Sequence, residues 1–261
     1  MKRFLAVVLA GERPGGSSLS RDLGLAAGVL AEVAGKPALQ RVIEALQAAE
    51  CVEGGVLCGP VAEVYEKAGK FREILSGSAF HWLAPESGPS ASAVKAVQSL
   101  GRYPVLLTTG DHALLTPELV DNFCRQAWLA GGDIVTGLAP WSIVQAAYPG
   151  SKRTVQKYRD GAYCGTNLFA VLTPAGLGAL HVWQEVEALR KQPWKIALKV
   201  GVWFMLRYLF RRVRLEEAFL RLSEISGCRA AYVLVDNARA AVDVDTVADR
   251  DLAEKILAGG C

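Results

Sequence analysis

Along this chain, short apolar and β-branched runs alternate with longer stretches whose apolar positions recur at a helical period. The runs Leu5–Leu9, Gly55–Leu57, Phe80–Leu83, Val105–Thr108 and Ile134–Thr136 have the length of buried strands. Between them, Pro37–Ala49, Val61–Leu75, Ser90–Leu100 and Pro117–Ala130 carry the amphipathic pattern of helices. Pro37 and Pro117 sit where a first helical turn tolerates a missing N–H, and Thr116 is the expected N-cap ahead of Pro117. This rhythm predicts an α/β fold, a mostly parallel sheet with helices on both faces. Ligands in such sheets bind at the carboxyl ends of the strands, near the point where strand order reverses. Beyond about residue 140 the rhythm loosens. Gly165–Leu172 and Ala230–Val235 read as strands, and Pro174–Arg190, a long stretch from Pro193 to about Val213, Leu215–Ser226 and Thr246–Leu257 as helices. No internal repeat, low-complexity tract or linker is visible, so the pattern describes one domain with a helical insertion at about 174–226.

Composition narrows the class. With 261 residues, 51% of them hydrophobic and 21% charged, the chain is neither disordered nor fibrous and can bury a sizeable core. Six cysteines without a CxxC pair exclude a disulfide scaffold and give no support to a zinc or thioredoxin-type site. The apolar stretch from Phe4 to Ala10 is too short for a signal-peptide core and suits a first strand. The run from Val200 to Leu206, bounded by Lys199 and Arg207, falls far short of the roughly 20 residues that span a bilayer. A cytoplasmic protein with reduced thiols is the expectation.

Three segments hold candidate chemistry. The first strand ends in Leu9-Ala10-Gly11-Glu12-Arg13-Pro14-Gly15-Gly16, a glycine-rich turn that lets backbone N–H groups approach phosphate oxygens or simply closes the strand tightly. It lacks the spacing of a P-loop or a dinucleotide fingerprint, which sets an NAD-dependent enzyme low. The strand at Val105 runs through Gly110 into Asp111, a carboxylate at a strand tip that is either a Mg²⁺ ligand bridging phosphate oxygens or a turn residue. Near the C-terminus, Thr246 and Asp249 form a capping box, while Asp243 and Asp245 alternate with valines and so share one face of an extended segment.

Taken with Gly35-Lys36-Pro37, Gly88-Pro89-Ser90-Ala91-Ser92 and Leu114-Leu115-Thr116-Pro117, these pieces stand in an order that resembles the MobA-like, GT-A-type nucleotidyltransferases over residues 4 to about 136 and 230 to 258. That group includes molybdenum-cofactor guanylyltransferase and the sugar-phosphate and methylerythritol-phosphate nucleotidyltransferases. The resemblance implies a three-layer Rossmann-like fold and Mg²⁺-dependent transfer of an NMP from an NTP to a phosphorylated or hydroxylated small acceptor, with release of pyrophosphate. It implies nucleotide contacts from Leu9, Ala10, Gly11, Glu12, Gly15, Gly16, Gly88, Ser90, Ser92 and Gly110, and Mg²⁺ held by Asp111 with Asp243 or Asp245. Two family cations are displaced. Gly16 stands where the first loop usually carries Arg, and Gly28 where a Lys usually precedes the G-K-P segment, so Arg13 is the expected substitute for the first and Lys36 or Arg21 for the second. If neither substitutes, a nucleotide-binding protein of the same fold without turnover is the alternative.

Two further stretches remain. Lys152, Arg153 and Asn167 stand in a polar segment suited to a phosphate on the acceptor, although Lys157 and Arg159 in the same segment fit a solvated loop as well. Residues 190–214 hold eight of the basic residues and no acid; without those eight, 21 cations would face 26 acids, a balance of −5 instead of +3. Aromatics interleave with the cations. The mix fits an interfacial helix on anionic lipid, a mouth for an amphiphilic phosphate, or a helix packed on the sheet with snorkelling cationic ends. Nucleic acid is a poorer fit, since no aromatic-basic sheet motif accompanies the charges.

Overall fold

In the first strand, β1 (Phe4–Leu9), side chains alternate between two cores. Phe4, Ala6 and Val8 enter one and Val7 the other, the period-two signature of a strand covered on both faces. The structure, a computed structural model, describes residues 2–12 and 15–259. Its further strands are β2 (Glu32–Val33), β3 (Lys36–Pro37), β4 (Val52–Cys58), β5 (Phe80–Leu83), β6 (Val105–Thr109), β7 (Ile134–Pro140), β8 (Val155–Lys157), β9 (Ala162–Val171) and β10 (Ala230–Leu234). The helices are α1 (Ser18–Asp22), α2 (Ala38–Ala48), α3 (Ala62–Lys67), α4 (Lys70–Leu75), α5 (Pro89–Leu100), α6 (Pro117–Ala130), α7 (Trp141–Ala147), α8 (Leu177–Ala188), α9 (Pro193–Val200), α10 (Val202–Leu209), α11 (Leu215–Ser226) and α12 (Val247–Leu257).

The main sheet runs β10-β7-β9-β6-β1-β4-β5, with β8 pairing β9. Neighbours are parallel except around β9, which runs antiparallel to β6, β7 and β8. Helices α2 and α6 cover one face and α5, α8 and α11 the other, giving three layers. A third cluster, from α1, α7, α12 and the segment through Val242 and Val244, closes over the carboxyl end of β6 and β7.

Strand and helix positions in the N-terminal half follow the hydrophobic pattern closely. Thr116 caps α6 through the Leu119 N–H, and Thr246 with Asp249 forms the expected capping box of α12. Pro37 stands one residue earlier than expected, as the N-cap of α2. Two stretches read as single helices are each broken at a glycine. Val61–Leu75 divides into α3 and α4 around Gly69, and the stretch from Pro193 divides into α9 and α10 at Gly201, whose φ of +102° no helix accommodates. The short elements α1, β2, β3, α7 and β8 lack a periodic signal long enough to read.

No helix among the described residues is long and apolar enough to cross a membrane. The five cysteines among them are buried free thiols.

Candidate functional site

Strand order reverses between β1, whose successor β4 lies on one side, and β6 on the other. At this switch point a cleft of about 350 Å³ opens over the strand ends. It forms because β6 and β9 part company. Their pairing ends at Leu107 with Phe169, while β6 stays paired to β1 as far as Thr109 with Leu9. Beyond Phe169, β9 bulges: Thr136 faces Phe169 but Leu138 faces Gly165. Thr166 closes the bulge by donating to the Gly137 carbonyl at 2.9 Å, and Asn167 is held at a φ of +52° with its side chain lining the cleft. Bulges re-aim side chains in this way, and Asn tolerates the left-handed region better than most residues.

Asp111 lies on the wall of this cleft at the end of β6. Its Oδ1 accepts from the Thr109 hydroxyl at 2.5 Å. Burial pushes its carboxyl up to about 7; the Thr109 bond opposes the shift, and the facing carboxylates of Asp245 and then Asp243 add to it. Those two carboxylates arrive because the Val244 N–H donates to the Asp111 carbonyl at 3.0 Å. Three acids from distant parts of the chain thus meet at one end of the sheet. They do not close into a protein cage, since no three acidic, histidine or cysteine side chains among the described residues form a metal-binding cluster.

Asp243 is already engaged. Arg153 Nη1 reaches its Oδ1 at 2.5 Å, and Asn167 Nδ2 reaches its Oδ2 at 3.5 Å. The same guanidinium lies 2.9 Å from Asp249 Oδ1, and the Arg153 side chain is only 7% exposed. The expectation that Arg153 faces an acceptor is therefore corrected: it is an internal clasp that holds the C-terminal segment to the loop ahead of β8. Lys152 beside it is exposed and does not line the cleft. His112, next to Asp111, is buried; burial lowers its ring to about 4, against a weaker opposing influence from the Arg239 backbone, so it is a neutral core residue.

The first loop is organised by an acid. Glu12 Oε1 accepts from the Ser17 N–H at 2.6 Å and from the Gly28 N–H at 3.3 Å. Side chains would have little room at the two glycines that replace the family cations. A Cβ on Gly16 would meet Ser20 Oγ at 2.8 Å, and one on Gly28 would meet Ser17 Oγ at 2.7 Å, with Glu12 Oε1 within 4.0 Å of both. Arg13 lies outside the described residues. Arg21 donates to the carbonyls of Gly15 and Gly16, tying the loop down. Lys36 is turned to Glu44 at 2.8 Å on the solvent side of α2, so the structure does not bring it to the cleft. Ala10 is buried within the sheet, Gly15 and Gly16 stand off the cleft wall, and Gly110 donates to the Leu9 carbonyl behind it.

The opposite wall comes from residues 85–89. Ser92 Oγ accepts from the Glu86 N–H at 2.9 Å, and Lys95 pins the same loop through Glu86 at 2.8 Å and the Ala84 carbonyl at 3.0 Å. Ser90 is corrected: it is buried in the first turn of α5, and both its N–H and its hydroxyl donate to Glu187 of α8 instead of facing a nucleotide. Leu9, Gly11, Glu12, Gly88, Ser92, Asp111 and Asn167 do line the cleft. Sequence reading missed Thr108, a lining residue whose buried hydroxyl has no hydrogen-bond partner, and the aromatic surfaces of Phe169 and Trp183. Among the described lining residues three are acids, Glu12, Glu86 and Asp111, and none is Lys or Arg.

The raised Asp111 carboxyl has a thermodynamic consequence. The folded state keeps its proton up to about 7, whereas an unfolded carboxyl releases it near 3.8, so stability falls as pH rises through that window. Asp111→Asn, with no metal added, should melt like the parent near pH 4 and above it at pH 8, because only the parent loses stability across that window. Scanning calorimetry at both pH values checks this; parallel pH profiles for the two proteins would contradict it.

Comparison with known proteins now bears on this geometry. A hypothetical transferase of Thermus thermophilus superposes with a TM-score of 0.80 at 29% identity, over 95% of this chain and 99% of that one. A CMP:2-keto-3-deoxy-manno-octonic acid synthetase complexed with CTP gives 0.59 at 16% identity, each chain covered in full. A 4-diphosphocytidyl-2C-methyl-D-erythritol synthase from Anaerococcus prevotii gives 0.59 at 11%, covering 98% of this chain and 99% of that one. At such identities the last two share the fold. No curated protein sequence matches. The sequence profile of the MobA-like NTP transferase domain matches residues 6–158, more than half of the chain, and the protein therefore belongs to the MobA-like NTP transferases, a family of nucleotidyltransferase enzymes.

Proposed function

We propose that the protein is a Mg²⁺-dependent nucleotidyltransferase that joins the NMP unit of an NTP to a phosphorylated or hydroxylated small acceptor and releases pyrophosphate. The reading takes the chain as one nucleotidyltransferase-like domain whose helices at about 174–226 are an insertion. The observation that carries it is the convergence of Asp243 and Asp245 on Asp111, which lines a cleft that also presents Gly11 and the 85–89 loop.

The donor set suits a hard divalent cation. Asp111 offers carboxylate oxygens on the cleft wall while two further carboxylates repel its charge, an arrangement that a cation relieves. Mg²⁺ needs only one or two protein carboxylates when phosphate oxygens and waters complete its shell. Asp111, on the cleft wall, and the neighbouring carboxylates of Asp245 and Asp243 are the residues that would hold it. When bound, Mg²⁺ would neutralise triphosphate charge in a cleft without Lys or Arg among its described lining residues.

The chain's own residues supply position. Gly11 lets the backbone approach phosphate oxygens, and Ser92 and Lys95 hold the 85–89 loop beside the nucleoside. Asn167, on the cleft wall, would contact the acceptor, and Lys152, exposed in the segment that carries Arg153, would meet its phosphate. An acceptor oxygen forms a bond to the α-phosphorus as the bond to the bridging oxygen breaks, and pyrophosphate carries away the leaving electron pair.

Pyrophosphate release, followed with each of the four NTPs over a panel of sugar phosphates and polyols in Mg²⁺, tests the reading. Asp111→Asn should lower the rate at least about hundredfold; unchanged turnover would contradict the metal role. A second reading, nucleotide binding without turnover, is favoured by Gly16, Gly28 and the Glu12 carboxylate between them. It predicts that an NTP with Mg²⁺ raises the melting temperature while no acceptor gives pyrophosphate. Under either reading Glu12→Gln, whose amide oxygen can keep both backbone bonds, should tighten NTP binding about fivefold, the effect of about 1 kcal/mol of removed repulsion. Titration calorimetry checks this, and weaker binding would assign Glu12 a supporting contact to the nucleotide.

A further inference from the structure

Residues 194–210 present the wrong face to solvent for an ordinary surface helix. Among the described residues, seven of the thirteen exposed large apolar side chains fall in this stretch. Trp203 is 75% exposed, Phe210 72% and Leu209 69%, with Trp194, Leu198 and Leu206 beside them. Neither α9 nor α10 has a single buried residue. The reading of a helix packed on the sheet with snorkelling ends is thereby overturned.

What anchors the pair to the body is largely polar. Lys199 pairs with Glu185 of α8, Arg207 Nη2 with Glu217 Oε1 at 2.6 Å, and Arg221 Nε of α11 donates to the Val200 carbonyl at 2.7 Å. Tyr208 sets its ring edge-on to Tyr158, centroids 5.5 Å apart. A helix usually buries its apolar stripe and shows its charges. Here ion pairs tie the helices to the body beside half-buried Ile196, Phe204, Met205 and Tyr208, while Trp194, Leu198, Trp203, Leu206, Leu209 and Phe210 face out.

Around that apolar face stand exposed cations without acid partners. Arg190, Lys191, Lys195, Arg211 and Arg212 make no ion pair among the described residues, and no acid occurs between 190 and 214. Lys195 lies 5.3 Å over the Trp194 ring. Tryptophan and leucine framed by unpaired cations match a surface with an apolar interior beneath anionic headgroups: the rings and leucines enter the headgroup boundary while the cations meet lipid phosphates. A second copy of this chain would bring the same cations against one another.

We propose that α9 and α10 form a docking surface for an anionic lipid bilayer. The surface adjoins the cleft, because α8, to which Lys199 ties α9, contributes Trp183 to the cleft wall and Glu187 to the N-terminus of α5. Docking would hold the cleft close to the headgroup layer. The proposal does not depend on turnover.

Sedimentation of the full chain with vesicles tests it. The protein should pellet with phosphatidylcholine vesicles containing phosphatidylglycerol at low salt, remain in solution with phosphatidylcholine alone, and be released at high salt. Trp203→Glu with Phe210→Glu, both at exposed positions, should cut bound protein at least about tenfold while leaving circular dichroism and any NTP-induced melting shift unchanged. Lys195→Glu with Arg211→Glu should do the same through charge. Failure to bind anionic vesicles at low salt would overturn the proposal, as would binding that both variants retain. So would a dimer that the Trp203/Phe210 variant dissociates in a protein that never pellets with vesicles; that outcome assigns the face to a second copy.

Discussion

One backbone hydrogen bond organises the site: the Val244 N–H on the Asp111 carbonyl. It ties the segment ahead of the last helix to the tip of β6, more than a hundred residues earlier in the chain, and so decides which acids share the end of the sheet. Arg153 makes the tie durable by joining Asp243 to Asp249, which completes the capping box of α12 with Thr246. Val242 and Val244 are buried in the cluster with α1, α7 and α12, so apolar burial backs the polar clasp. The bulge in β9 then turns Asn167 toward the same point, where it meets Asp243. Packing at the edge of the sheet, more than any property of the loop itself, sets the shape of the cleft.

That cleft is acidic. Glu12, Glu86 and Asp111 line it, and the two positions where the family usually carries cations are glycines, with the Glu12 carboxylate drawn into the space between them. The chain's positive balance resides instead at 190–214. A triphosphate entering such a site would meet repulsion unless a divalent cation came with it. On the proposed function, a divalent cation would offset the repulsion from the described acids of the cleft.

The strands and helices of the first half were legible because burial on both faces leaves continuous apolar runs and covering helices leave an amphipathic period. The tips of those strands could be read for the same reason: Gly11 and Asp111 follow apolar runs directly. What could not be read depends on partners remote in sequence. Arg153 looks like any loop cation until Asp243 and Asp249 are seen around it, and Ser90 like a ligand contact until Glu187 arrives from α8. The antiparallel entry of β9 and its bulge leave no periodic mark, although Asn167 was singled out for its chemistry. The break at Gly201 went unread, although an interior glycine costs a helix about 1 kcal/mol. The outward apolar face of α9 and α10 was ambiguous in sequence because either face of an aromatic-basic helix can pack inward.

The central claim is that Asp111 anchors a divalent cation together with the nucleotide. Electron paramagnetic resonance of Mn²⁺, titrated into the protein with a non-hydrolysable NTP, tests it most directly. The account predicts that nucleotide strengthens Mn²⁺ binding to the parent chain and that Asp111→Asn abolishes this gain. A ternary complex of the variant as tight as that of the parent would contradict it.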